Sequence, residues 1–260
     1  LLIDLNQFEE SISILLKAIQ INSQLEKPYL YLGLAYKQTG EYELAEKWLL
    51  NAIDLNFRDS HIYILLLEIF IARKKYSEAE KYAKTLLLLY PNHSHGLLLL
   101  ASSYFGLGKL QNAKDIARNC LKSKPQHAKI YLNLGRLLDQ LHLFVEAEVS
   151  TELAIQLDST MSMAFYNLAV IYFHQGKFSE SKDIISKFLS IDTNNSDAYI
   201  LLGALSKHSG SLLEAERNLR LALSIDNTSL KAYSDLADIL QNQGRISEAV
   251  EYASMSIRVD

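Results

Sequence analysis

The sequence predicts an all-α array of stacked helical hairpins, on three observations. A leucine recurs every 34 residues, at Leu32, Leu66, Leu100, Leu134, Leu168, Leu202 and Leu236. Around it, bulky residues sit three before and four after, as at Tyr29 and Tyr36, so they share one helical face. After a glycine, a second stretch opens with an acid followed by a small residue. Self-similarity at a fixed period of this size marks units that bury their apolar faces only by stacking on their neighbours.

Each column of the unit has a physical reason. The residue after the leucine is small at Gly33, Ala101, Gly135, Ala169, Gly203 and Ala237, with Leu67 the exception. Gly40, Gly108, Gly176, Gly210 and Gly244 stand where a first helix ends, because glycine accepts the left-handed conformation of a C-cap at low cost. Lys74 and His142 replace it in two units. The second helix carries Glu10, Glu78, Glu146, Glu180, Glu214 and Glu248 in its first turn, at the positive end of the helix dipole. The next residue is Ser11, Ala45, Ala79, Ala113, Ala147, Ser181, Ala215 or Ala249, so helices approach closely there. Seven residues later a second small column holds Ala18, Ala52, Cys120, Ala154, Ala222 and Ser256, with Leu86 and Phe188 departing.

In chain order, residues 1–25 form a partial unit with a turn near Asn6 and a second helix carrying Phe8, Ser11, Leu15 and Ala18. Repeat units then occupy 26–59, 60–93, 94–127, 128–161, 162–195, 196–229 and 230–260, all in one array. Ser60, Ser94, Ser162 and Ser196 each open a unit as expected N-caps, and Ser77 with Glu80 has the spacing of a capping box. The unit at 60–93 is the odd one, since Leu67, Lys74 and Leu86 all break its columns and Leu86 to Leu89 are consecutive leucines. Either its helices repack locally or extra apolar surface meets a partner. Neither end carries a polar capping helix, so the expectation is a fragment of a longer protein, or ends that self-associate or are covered by another chain.

Composition narrows the function classes. The net charge of −4 offers no basic stripe for nucleic acid. Only three Pro and ten Gly leave no flexible linker. The longest apolar run, 62–72, contains Glu68 and is too short to insert in a bilayer. One cysteine, Cys120, cannot form a disulfide within the chain, which suits a reducing, cytoplasmic compartment, and its place in a small column suggests a buried inert thiol. There is no phosphate loop, CxxC, HExxH or GxSxG, so no catalytic constellation and no cofactor is expected. His61 and His95 share a column, as do His174 and His208. Neighbouring helices about 10 Å apart set such pairs too far apart to share a metal unaided, so no metal is expected.

In length and principal columns the unit resembles the tetratricopeptide repeat (TPR), over the whole chain and for about 7.5 units. The family's Pro column is kept only at Pro91 and Pro125. The resemblance implies a right-handed α-α superhelix, or solenoid, whose first helices line a concave groove that grips ligands. The implied groove residues are Tyr31, Leu34, Lys37, Leu65, Glu68, Leu99, Ser102, Phe105, Asn133, Arg136, Asn167, Val170 and His174. Leu and Ile stand where the family's clamp for acidic chaperone tails needs Lys, so that clamp is absent. Asn133 and Asn167 partly resemble the asparagine run in the TPR arms of protein O-glycosyltransferases. Their amides suit a peptide backbone, or they are ordinary solvated positions. Tyr31, Leu34, Leu65, Leu99 and Phe105 make the first half apolar, for an amphipathic or extended apolar segment, unless the array closes over them. The expected function is a non-catalytic scaffold for a protein or peptide segment; the alternative is the recognition arm of a larger enzyme such as a protein glycosyltransferase.

Overall fold

The structure, a computed structural model, describes residues 7–259. The expected turn near Asn6 and the end of a helix before it lie outside the described residues. Fifteen helices and no strand are present among the described residues, an all-α superhelical repeat fold. The chain divides into two compact units, one reaching Gln126 and one starting at His127.

The amino-terminal unit comprises α1 (Phe8–Ile21), α2 (Glu26–Gln38), α3 (Tyr42–Asp54), α4 (Ser60–Ala72), α5 (Tyr76–Leu89), α6 (Ser94–Gly106) and α7 (Leu110–Lys122). Its first helices are α2, α4 and α6. Leu32, Leu49 and Leu66 are fully buried, each contributing about 1.5–3 kcal/mol by leaving water. Between α2 and α3 the approach is so close that a Cβ on Gly33 would lie 2.5 Å from Leu49 Cδ2. Tyr29 packs against Trp48 and Phe57 with ring centroids 5.9 and 5.6 Å away.

The carboxy-terminal unit comprises α8 (Ala128–Gln140), α9 (Phe144–Leu157), α10 (Ser162–His174), α11 (Phe178–Ile191), α12 (Ser196–His208), α13 (Leu212–Ile225), α14 (Leu230–Asn242) and α15 (Ile246–Val259). Its first helices are α8, α10, α12 and α14. One core cluster gathers Phe165, Ile185, Phe188, Ala198, Leu201 and Leu205. A second gathers Ile200, Leu219, Leu236, Ile239 and Leu240 around alanines. At the α10–α11 crossing Ser181 is small enough for its hydroxyl to donate to the Ala169 carbonyl at 2.6 Å.

One turn geometry closes every hairpin. The amide three residues past each first helix reaches back five residues, as from Glu41 to the Tyr36 carbonyl and from Leu143 to the Leu138 carbonyl, at 2.8 and 2.9 Å. The residue between must be left-handed. Gly108 adopts φ 71°, and Lys74 and His142 both adopt φ 57°, so the turn is imposed even where the sequence supplies a side chain that resists it.

The expected serine N-caps are corrected. The caps are Asp59, His93, Met161 and Asn195, one residue earlier, and the serines are the first helical residues. Asp59, His93 and Asn195 accept a backbone N–H in the first turn. Ser94 bonds the Ser123 hydroxyl instead, and Ser196 donates to the Ala222 carbonyl. The capping box is corrected too: α5 is capped by Lys75 with no side-chain bond, and Glu80 pairs with Lys84 and Lys109.

The odd unit is repacked. Leu67 and Leu86 are both fully buried. Leu86 occupies the space left by Gly96 on α6, whose Cβ, if present, would lie 2.9 Å from Leu86 Cδ2. A large residue where other units have alanine is thus matched by a missing side chain opposite. Leu88, by contrast, is 83% exposed.

Candidate functional site: the inner faces of the first helices

In the amino-terminal unit, the inner face of α2, α4 and α6 is polar over a buried apolar floor. Leu65 and Leu99 are 7% and 8% exposed, so the expected apolar lining is closed over at both positions. Tyr31 remains exposed, and Leu34 and Phe105 are half-buried. Lys37 on α2 forms an ion pair with Glu68 on α4, and Glu68 lies 3.6 Å from His95 Nε2 on α6. The Ser102 hydroxyl is turned inward, donating to the Leu98 carbonyl at 2.9 Å. His61 is held by Asp59 at 2.8 Å, away from His95's carboxylate.

The carboxy-terminal unit holds two clefts on its inner side. The smaller, about 160 Å³, is lined by Arg136, Asp139, Gln140, Tyr166, Asn167, Val170 and Ile171. It brings together three sequence-predicted residues, Arg136, Asn167 and Val170. Arg136 is exposed and Asn133 half-buried. Asn167 is 7% exposed, and its Nδ2 is buried with no hydrogen-bond partner among the described residues. His174 is held by Asp139 through Nδ1 at 2.7 Å. Burial pushes the Tyr166 hydroxyl up to about 12, with the Asp197 charge acting in the same sense, so it stays a neutral donor.

The larger cleft, about 450 Å³, is bordered by α10, α12, α13 and α14 and lined by Phe173, Gly203, Ala204, Lys207, His208, Leu219, Asp235, Asp238 and Ile239. The room exists because Ala204 lacks bulk, whereas at Gly203 the helices touch, a Cβ there falling 2.9 Å from Leu219 Cγ. Lys207 pairs with Asp238. The Asp235 carboxyl is pushed up by burial and by the Asp238 charge, against the pull of Lys231 and Lys207. Sequence reasoning did not select these residues, although Ala204, Asp235 and Asp238 stand in the columns directly before and two after the leucine. The missing signal was side-chain volume, since the space depends on a small residue at Ala204.

A second regularity also escaped the sequence. Glu46, Glu80, Glu148 and Glu216 occupy one column, each bonded to a cation 29 residues on: Lys75, Lys109, Lys177 and Arg245, at 2.6–2.9 Å. These bonds tie each second helix to the start of the next one. Burial raises the Glu148 and Glu216 carboxyls, but hydrogen bonds from Lys177 and Gln175, and from Arg220 and Arg245, outweigh it and hold both below the usual value.

No group of three or more His, Cys, Asp or Glu side chains among the described residues is placed to hold a metal ion. His174 is engaged by Asp139, and His208 stacks on Phe178 with centroids 4.3 Å apart. Cys120 is buried, donates to the Ser94 carbonyl at 3.2 Å, and its thiol is pushed up to about 12 by burial.

Hairpins of equal period, left-handed turns in register and small residues at each crossing define a helical-hairpin repeat protein. Family models described as tetratricopeptide repeat match residues 1–25, 27–59 and 164–195, residues 98–162, and residues 229–259. The chain belongs to the tetratricopeptide repeat family. No curated protein sequence matches it. Among solved structures it is similar to a chain of the APC/C hetero-tetramer Cut9–Hcn1, at TM-score 0.73 and 15% identity, over 92% of this chain and 47% of that one. It is similar to YrrB, described as a TPR protein with an unusual peptide-binding site, at TM-score 0.56 and 18% identity, over 71% of this chain and 95% of that one. MamA is similar at TM-score 0.52 and 22% identity, over 62% and 94%. At such identities the likeness speaks for the fold.

Proposed function

We propose that this chain is a non-catalytic protein-interaction scaffold that holds a partner's peptide segment on the inner face of its first helices. The observation that carries this reading is Asn167. A buried amide donor without a partner costs about 1–3 kcal/mol. That cost is recovered when a carbonyl oxygen of an extended segment enters the small cleft and accepts from Nδ2. Arg136 at the rim adds a charged donor, and Gln140 a donor and an acceptor. In the amino-terminal unit Tyr31 is the exposed anchor, Leu34, Lys37, Glu68, Ser102 and Phe105 are half-buried, and Leu65 and Leu99 form the floor beneath. A helix long and apolar enough to cross a membrane is absent among the described residues. A second reading, the recognition arm of a larger glycosyltransferase, is favoured only by Asn133 and Asn167 sharing a column; Leu201 and Asp235 end that run.

Selection of random displayed peptides on the chain tests the proposal, followed by affinity measurement on Asn167→Leu. The substitution removes the orphaned donor at similar volume, so folding stability is expected to hold or rise. Selected peptides are expected to bind about tenfold more weakly, the loss of one buried hydrogen bond. Failure to select any peptide, or equal affinity for the variant, overturns the reading.

A further inference from the structure

The larger cleft of the carboxy-terminal unit has a charge pattern of its own. Asp235 on α14 is half-buried and receives no hydrogen bond or ion pair from any described residue. The neighbouring cation, Lys207, is already engaged by Asp238. Lys231, one turn earlier on α14, acts on the Asp235 charge without forming an ion pair with it, so among the described residues no cation is seated against the Asp235 carboxylate within the cleft. Its floor is apolar, formed by Leu219 packed on Gly203 and by Ile239, with Ala204 leaving the space open. On one side Phe173 and His208 meet edge to face at 5.7 Å, and aromatic faces favour a flat cation beside them.

We propose that this cleft is a subsite for an arginine side chain of the partner segment, with the guanidinium against Asp235 and its methylene stem on Leu219 and Ile239. The inference rests on the peptide-holding reading for the origin of that arginine, but the cleft shares no lining residue with the cleft of Asn167. A guanidinium fits for three reasons. It stays charged at any physiological pH, it is weakly hydrated and so enters a half-buried site at lower cost, and its plane stacks on rings. The volume, about 450 Å³, falls within the range of small-molecule sites and admits the side chain with part of its backbone. Asp235, without an ion-pair partner among the described residues, supplies the complementary charge, while Lys207 keeps Asp238 from binding a second cation.

The test is a titration of the whole chain with N-acetyl-arginine amide, followed by amide chemical shifts at Ala204 and Asp235. N-acetyl-citrulline amide, of the same shape without the charge, is the control. Saturable shifts confined to the cleft are expected with the arginine probe. Its dissociation constant is expected to rise at least fivefold in Asp235→Asn, a near-isosteric change, and saturation to vanish in Ala204→Leu, which fills the space. Unchanged helical circular dichroism and melting establish that both variants are folded. Equal shifts with citrulline, equal binding by Asp235→Asn, or no shifts at the cleft overturn the proposal. Titrating Asn167→Leu alongside separates the two readings, because the arginine probe is expected to bind it as it binds the unaltered chain. Peptides selected without an enriched arginine also count against this subsite while leaving the scaffold reading in place.

Discussion

The pairing of Leu86 with Gly96 makes a prediction whose sign depends on context. Leu86 is fully buried, so Leu86→Ala removes it at a cost of about 2–5 kcal/mol in lost transfer and cavity energy. Gly96→Ala brings about 1 kcal/mol of helix propensity but sets a methyl group where Leu86 Cδ2 lies 2.9 Å away. Overpacking of that kind costs about 1–3 kcal/mol, so the single substitution is expected to destabilise by about 1 kcal/mol. In the Leu86→Ala background the obstruction is gone, and Gly96→Ala is expected to stabilise by about 1 kcal/mol, an alanine pair like Ala154 with Ala164. The coupling is then about 2 kcal/mol, several times the additivity error of independent sites. Urea unfolding followed by circular dichroism measures the four corners of the cycle. Amide exchange of α5 and α6 checks that the change is local, since repeat arrays open in parts. A coupling within about 0.5 kcal/mol of zero would refute the account of how the odd unit packs.

Three further expectations are open to direct measurement. Lys74→Gly and His142→Gly relieve left-handed strain at φ 57° and are each expected to stabilise by about 1 kcal/mol, whereas Gly176→Ala is expected to lose a similar amount; opposite signs in urea melts would contradict the turn. Glu148 and Glu216 titrate below the ordinary value of 4.5 in the fold, so their stabilisation is fully present above pH 4.5 and lost as pH falls through the lower folded value. Asp235 is raised above 3.8, so its penalty is present above its folded value and gone below pH 3.8. Melting temperatures of Glu216→Gln and Asp235→Asn against pH are therefore expected to move oppositely at pH 7, and each variant to converge on the unaltered chain once the pH is below both the folded and the unfolded value of its group. Cys120, with its thiol pushed up to about 12 and its side chain buried, is expected to react with a thiol reagent only in denaturant; rapid labelling of the native chain would show that α6 and α7 part readily.

The sequence by itself determined the helices, their pairing and their turns. The reason is local: a leucine with bulky neighbours at three and four, a glycine at each helix end and an acid in each following turn act within a few residues of one another. Even where Lys74 and His142 replace glycine, the period told where the left-handed residue falls. Only the tertiary structure decided which column members reach solvent. Leu65, Leu99 and Asn167 share a column with Asp235, yet the first three are buried and Asp235 is half-buried, because exposure there depends on the bulk of residues on the next helices. The caps at Asp59, His93 and Asn195 were likewise settled by which side chain the chain's entry angle brings to the first free amides. The glutamate-to-cation bonds across 29 residues, the orphaned amide of Asn167 and the unpaired carboxylate of Asp235 all arise between helices. They depend on distances through space that the period of a sequence does not encode.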